Sequence, residues 1–392
     1  MKKFLYLLVI GLASTQLNAA PQMTEAQIGQ LLFLDPSFSK NRTMSCATCH
    51  EPNNSFTDQR QNTSGQMVSI GDDIKLLGSR NTPMAAYAST SPAFHFDEKL
   101  QEYVGGQFLD GRADTLAIQA MGPPVNPVEM GLPNGQTVVQ RIQENPFYVE
   151  NFKRLYGKGV FDMVDGKEMS PAFEAFGNAL QAFQQTDEFA TYDSKYDRFL
   201  KGEYELTVLE DLGRTLFFSN NNVSCNTCHM LKVEDSKKEP FTNHQYRNIG
   251  VPTNAQLLAF GHLKADFIDH GLLENPAVDD PKYDGKFKNP SLRNVAVTGP
   301  YMHNGVFKDL RTVMEFYDHF NNPKRTINPE TGKPWRAPEV PNTVDLADLK
   351  AQVLTDRKID ALIAFMKTLT DKRFEPLLEA KDKLEKEKKA AK

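Results

Sequence analysis

The chain has 392 residues, 40% of them hydrophobic, with 45 basic and 50 acidic side chains. That length and composition suit one to three globular domains. The net charge of −5 argues against nucleic acid as a partner.

The chain opens with Lys2 and Lys3, an apolar run over 4–12, and Ala19-Ala20 before a proline. This pattern predicts a secretory signal over 1–19, with a retained anchor as the alternative, although the run is short for a span. Without Lys2 and Lys3, 43 basic residues face 50 acidic ones, a balance compatible with steering a basic partner protein. A helix is predicted over 24–33, capped by Thr24, and a polar loop over 35–45 leads to Cys46-Ala47-Thr48-Cys49-His50. Residues 51–79 are rich in Gly, Asn and Asp and predict a long loop, of a length that is usually functional. It contains no histidine; its Asp72 and Asp73 read as exposed acids.

Arg80-Asn81-Thr82-Pro83 ends that loop, and Tyr87, Phe94, His95, Phe96 and Tyr103 form an aromatic stretch. Gln107-Phe108-Leu109-Asp110-Gly111-Arg112 is a turn before a helix predicted from about Ala113, which Pro123-Pro124 should stop. Further helices are predicted over 137–143, 146–156 and 170–184, with a junction between domains at 193–207. A second polar approach leads to Cys225-Asn226-Thr227-Cys228-His229, followed by a charged, exposed stretch over 234–242. Residues 288–305 are punctuated by glycine and proline, 310–320 predict a helix, and 321–341 a proline-rich loop. Ile359, Leu362, Ile363, Met366 and Leu369 give the stripe of a packed helix. The tail from 379 reads as a solvated helix. With no strand-rich region, the expected fold is mainly α.

The two cysteine motifs say the same thing. Each is C-x-x-C-H, in which two thiols a turn apart can add to the vinyl groups of one haem and the histidine can reach the iron. A redox pair or half a zinc site would share the C-x-x-C spacing. Two copies that use every cysteine point to two covalently bound haem c groups and leave no disulfide. Gly29-Gln30-Leu31-Leu32-Phe33 precedes the first motif and Gly213-Arg214-Thr215-Leu216-Phe217 the second. The layout is thus repeated, and two cytochrome c-like haem domains packed together are expected, over 20–195 and 196–392.

With these motifs go Asp110-Gly111-Arg112-Ala113, Asn126-Pro127-Val128-Glu129-Met130, Pro290-Ser291-Leu292-Arg293-Asn294 and Pro300-Tyr301-Met302-His303-Asn304-Gly305. From Gly29 to about Leu369 the chain resembles the bacterial di-haem cytochrome c peroxidases. The resemblance implies reduction of hydrogen peroxide to water in the periplasm, with electrons from a small cytochrome c or cupredoxin. The N-terminal haem reacts with peroxide, the C-terminal haem receives electrons, and a calcium ion lies between the domains. A homodimer is compatible with it.

The resemblance makes His50 and His229 the proximal ligands. Many members block the first iron with a loop histidine; here none lies between His50 and His95, so an open first haem is expected. Gln107 falls on the distal glutamine. The distal glutamate is expected within Leu116-Ala117-Ile118-Gln119, where there is no carboxylate; Glu129 is assigned to a structural motif and Asp114 to another face. Asp110 and Arg112 are read as fixing the turn or a propionate. Counting from Pro300, the second haem's sixth ligand falls on Tyr317, similar to the MauG-like oxidases that act on a partner protein, with Met302 or Met314 as the alternative. A tyrosinate would favour the higher oxidation states of iron. Asn81, Thr298 and Pro300 match the calcium ligands, whose oxygen donors suit that ion. The tryptophan common between the haems is missing, since Trp335 lies in a late loop; Phe94, Phe96 or Tyr103 could fill the gap, although such aromatics are more often core residues. A third reading is a di-haem electron carrier without turnover.

Overall fold

The computed structural model describes residues 22–390, apart from 63, 167–169, 220–222, 224, 232–237 and 262. The expected signal segment and residues 234–237 of the charged stretch after the second motif lie outside the described residues. Among the described residues, no helix is long and apolar enough to cross a membrane.

The longer helices are α1 (Glu25–Leu34), α2 (Leu116–Val125), α3 (Gly135–Gln143), α4 (Pro146–Tyr156), α5 (Pro171–Gln184), α6 (Val208–Phe217), α7 (Leu310–His319), α8 (Asp356–Thr368) and α9 (Glu375–Ala390). The strands among the described residues form three two-stranded pairs. In α1, the Thr24 side chain accepts from the Gln27 N–H, and Gln27 reaches back to the Thr24 N–H. This reciprocal cap satisfies two amides that the first turn leaves open. Thr207 and Glu210 repeat it at α6.

The repeated glycine has a packing reason. A β-carbon on Gly29 would sit 1.9 Å from the Ala179 carbonyl oxygen, and one on Gly213 would sit 1.9 Å from that of Ala361. Thus α1 crosses α5, and α6 crosses α8, at a distance only glycine allows. The leucine and phenylalanine that follow, Leu32-Phe33 and Leu216-Phe217, are buried. Around the first crossing lies a core containing Phe38, Phe56, Phe152, Phe176, Phe183 and Phe189. Around the second lies one containing Phe217, Phe241, Phe307, Phe316, Ile359 and Phe365. Phe374 returns from beyond α8 to join the first core.

Several expectations shift. Helix α2 begins at Leu116, capped by Thr115, and runs through Pro123 and Pro124 to Val125. The stretch expected as a junction holds a helix over Lys195–Leu200, capped by Ser194. Phe241 and Thr242, expected in an exposed stretch, are buried. Asp72, expected exposed, is also buried: it accepts from Ser39 Oγ (2.9 Å), the Asn41 N–H (2.6 Å) and Thr43 Oγ1 (2.5 Å). Burial alone would raise its carboxyl pKa, but these donors hold it below the usual range. Asp72 therefore anchors the long loop, and its own N–H donates to the Glu129 carbonyl at 2.7 Å.

Candidate functional site

Both cysteine motifs open onto one cavity of about 740 Å³. Cys46–Cys49 form a single helical turn, which places the two thiols on one side. Burial pushes the thiols of Cys46 and Cys49 up to about 12, keeping them protonated. Each motif histidine is oriented by carbonyls. His50 Nδ1 lies 3.2 Å from the Phe56 oxygen. His229 Nδ1 lies 3.2 Å from the oxygens of both Phe241 and Pro290. A carbonyl only accepts, so Nδ1 carries the hydrogen and Nε2 keeps a free lone pair for a metal. Burial lowers both imidazole pKa values, that of His229 to about 4, so both rings are neutral at pH 7. Two thiols and a neutral imidazole on each of two cavity walls fit a covalently held haem at each motif.

At the first site, Gln107 is buried and lines the cavity. Its amide Nε2 donates to the Ala88 carbonyl at 3.1 Å. Gln119, from α2, lines the same cavity, and so does Glu129. The expectation that the pocket lacks a carboxylate thus does not hold. The chain turns after Val125, beyond the 116–119 stretch, and brings Glu129 back; the Glu129 N–H donates to the Asn126 oxygen at 3.1 Å. Burial raises the Glu129 carboxyl above the usual range, opposed by the Arg112 guanidinium and a hydrogen bond with Asn126. The carboxylate is close enough to raise the pKa of both Cys46 and Cys49. Carboxyl chemistry at this position was legible only from Asn126-Pro127-Val128-Glu129-Met130 read as a site rather than as a structural motif. Asp110 is buried, and its carboxylate takes Arg80 at 2.5 Å and Arg112 at 2.6 Å. The guanidinium of Arg112 stacks 3.7 Å above the Phe108 ring.

At the second site, Tyr317 on α7 lines the cavity with Met302 and Met314. Burial, then the nearby Cys228 and Cys225, raise the Tyr317 phenol pKa. Asn81, Thr298 and Pro300 line the same cavity. The Asn81 N–H donates to the His303 carbonyl at 2.7 Å, tying the two halves there. The side-chain amide of Asn81 donates to the Met67 oxygen at 2.9 Å. Phe94, Phe96 and Tyr103 do not fill a gap between the sites: they pack with Tyr246, Leu272, Val278 and Tyr283 in a separate cluster. Trp335 packs edge-on to Phe307 and donates from Nε1 to the Arg325 oxygen at 2.7 Å.

The profile of a family described as di-haem cytochrome c peroxidase matches residues 23–205. The chain is 50% identical over 358 residues to methylamine utilization protein MauG of Paracoccus denitrificans, covering 90% of each chain. It is 29% identical over 300 residues to cytochrome c551 peroxidase of Pseudomonas aeruginosa, covering 76% of this chain and 72% of that one. The crystal structure of the diheme peroxidase BthA of Burkholderia thailandensis aligns with a TM-score of 0.76 at 30% identity, covering 91% of this chain and 88% of that one. One residue in two shared with a relative along nine-tenths of both chains places this protein in the di-haem cytochrome c peroxidase family, as a mainly α oxidoreductase of two cytochrome c-like haem domains with two haem c groups.

Proposed function

We propose that the chain consumes hydrogen peroxide at the His50 site, with electrons arriving through the His229 site. Residues 20–195 then form the peroxide-reacting domain and 196–392 the electron-entry domain, working in the periplasm after loss of 1–19. The observation that carries this reading is Glu129, a carboxyl facing the cavity beside the first motif. Haem held by His50 would supply the iron that takes up peroxide. Glu129 takes a proton from one peroxide oxygen and returns it to the other, so that cleavage of the O–O bond releases water. Gln107 and Gln119 face the same space and orient the bound peroxide by hydrogen bonds. Two electrons and two further protons complete the conversion to two waters. A small cytochrome c or cupredoxin is the proposed donor.

A second reading is favoured by Tyr317 and by the 50% identity to MauG. In it the electrons come from a partner protein or organic substrate, and Tyr317 would be the residue that holds the second haem's iron opposite His229. One titration separates the two. The ferric protein receives one equivalent of hydrogen peroxide and is followed by optical and EPR spectroscopy. Loss of a high-spin signal is expected under either reading. Rapid return to the starting spectrum on adding reduced cytochrome supports the peroxidase; an oxidised state that reduced cytochrome does not rapidly discharge supports the second reading. No spectral change would make the protein an electron carrier.

Calcium is proposed at Asn81, Thr298 and Pro300, through one side-chain amide oxygen and two backbone carbonyls. A calcium chelator should lower peroxide turnover, and added calcium should restore it. A homodimer is also proposed, and sedimentation velocity reads it directly.

A further inference from the structure

The two proximal histidines are joined by a buried aromatic and ionic cluster that the peroxide chemistry above does not use. The Phe56 carbonyl that orients His50 also accepts the Ala85 N–H at 3.2 Å. Two residues on, Tyr87 is buried and lines the cavity. Its φ of 62° is one that a side chain rarely adopts, and its N–H is pinned to the Phe189 oxygen at 2.9 Å. The ring packs edge-on to Tyr192 at 5.1 Å. The fully buried Arg293 places its guanidinium 5.6 Å from the Tyr87 ring, 5.0 Å from Tyr192 and 5.3 Å from Phe241. Phe241 and Pro290 supply the carbonyls that orient His229. Bonded and packed atoms therefore run from His50 through Tyr87 and Arg293 to His229.

Within that run Tyr87 has a built-in proton acceptor. Its hydroxyl donates to Asp371 Oδ1 at 2.5 Å, and Asp371 Oδ2 accepts from Asn294 Nδ2 at 2.9 Å. Burial leads the causes that raise the pKa of both the phenol and the Asp371 carboxyl. A phenol that resists ionisation can lose an electron readily only if its proton leaves at the same time, and a carboxylate with a raised pKa is the better base to receive it. Arg293 is neutralised by Asp197, with contacts of 2.6 and 2.9 Å. Asp371 then places negative charge against the Tyr87 hydroxyl, which favours an electron-deficient ring. Trp335, the one tryptophan of the sequence, packs against Phe307 and Phe316 in the second core and not in this cluster.

We infer that Tyr87, with Asp371 as its proton acceptor, is the redox relay between the two haem sites. The inference rests on the peroxide reading above. Peroxide is the oxidant and takes up two electrons, one at a time through the relay. In each passage the Tyr87 O–H bond breaks, the electron leaves toward the His50 side, and the proton moves to Asp371 Oδ1, giving a neutral phenoxyl radical and a carboxylic acid. An electron from the His229 side, supplied by the external donor, then reduces the phenoxyl. Asp371 returns the proton, so the relay ends unchanged.

The test is freeze-quench EPR of the di-haem ferric protein mixed with peroxide in the absence of donor. A narrow tyrosyl-type signal is expected, narrowed further when the protein is grown with ring-deuterated tyrosine. Tyr87→Phe keeps the ring and its packing and should lose the signal. Asp371→Asn keeps the phenol but removes the base, and should lose it too. Tyr204→Phe, a partly buried tyrosine outside the cluster, should keep it. An optical response to peroxide with no tyrosyl signal, or a signal that survives Tyr87→Phe, overturns the relay and leaves the peroxide reading standing. No optical response in the unmodified protein overturns both.

Discussion

At the scale of single residues, the chemistry turns on whether a carboxyl can be held in an apolar cavity and still move a proton. Glu129 meets that condition: burial raises its pKa while Arg112 keeps the ionised form accessible. Replacing it by glutamine should lower kcat for peroxide reduction by about 10²–10⁴-fold, read in steady state with a reduced donor. The pH dependence follows from the sign. The base form of Glu129 is lost as pH falls through a value above that of an ordinary glutamate. The acid limb of the rate profile should therefore lie at higher pH than an unperturbed carboxyl would give, and should vanish in Glu129→Gln. Tyr317 can be tested by potential. Tyr317→Met exchanges a hard oxygen for a thioether and should raise the reduction potential of the second haem in a spectroelectrochemical titration. An unchanged potential would assign the iron to Met302 or Met314 instead.

At the scale of elements, the two helix crossings are the repeated device that sets each thiol pair beside its core. Gly29→Ala and Gly213→Ala each force a methyl into a carbonyl oxygen. Alanine is the better helix former, by about 1 kcal/mol, but a crossing that cannot accept the methyl must open, and overpacking costs about 1–3 kcal/mol. Each variant should lower the thermal midpoint. The crossings show why part of the structure was legible in advance. Periodicity, capping residues and the G-x-x-L-F repeat are local, so α1, α4 and α8 stood close to where they were expected. Glu129 and the aromatic cluster were harder. A carboxyl after two prolines looks like a turn residue until the chain is seen to fold back, and nothing in the spacing of Tyr87, Arg293 and Asp371 announces that they touch. Phe94, Phe96 and Tyr103, neighbours in sequence to the site, pack in a core cluster of their own, the commoner fate of such aromatics.

At the scale of the whole molecule, buried ion pairs link segments far apart in sequence. Arg80 meets Asp110 at 2.5 Å and Asp269 at 2.7 Å, both buried, and the exposed Glu274 at 2.8 Å. Arg80→Ala strands the buried Asp269 carboxylate and leaves Asp110 with Arg112 alone, and should cost about 3–5 kcal/mol in a denaturant titration. Burial alone would raise the carboxyl pKa values of Asp269 and Asp197, yet Arg80 and Arg293 hold them below the ordinary range. Their contribution to stability is present at neutral pH and is lost as pH falls through those depressed values. Asp371 joins the two halves differently, taking Tyr87 from one side and Asn294 from the other, and just beyond it Phe374 enters the first core while Leu378 enters the second. The early half of the chain therefore waits for residues beyond 370 before its interior is closed. In a chain delivered N-terminus first, Cys46 and Cys49 precede by about 320 residues the segment that completes this interior.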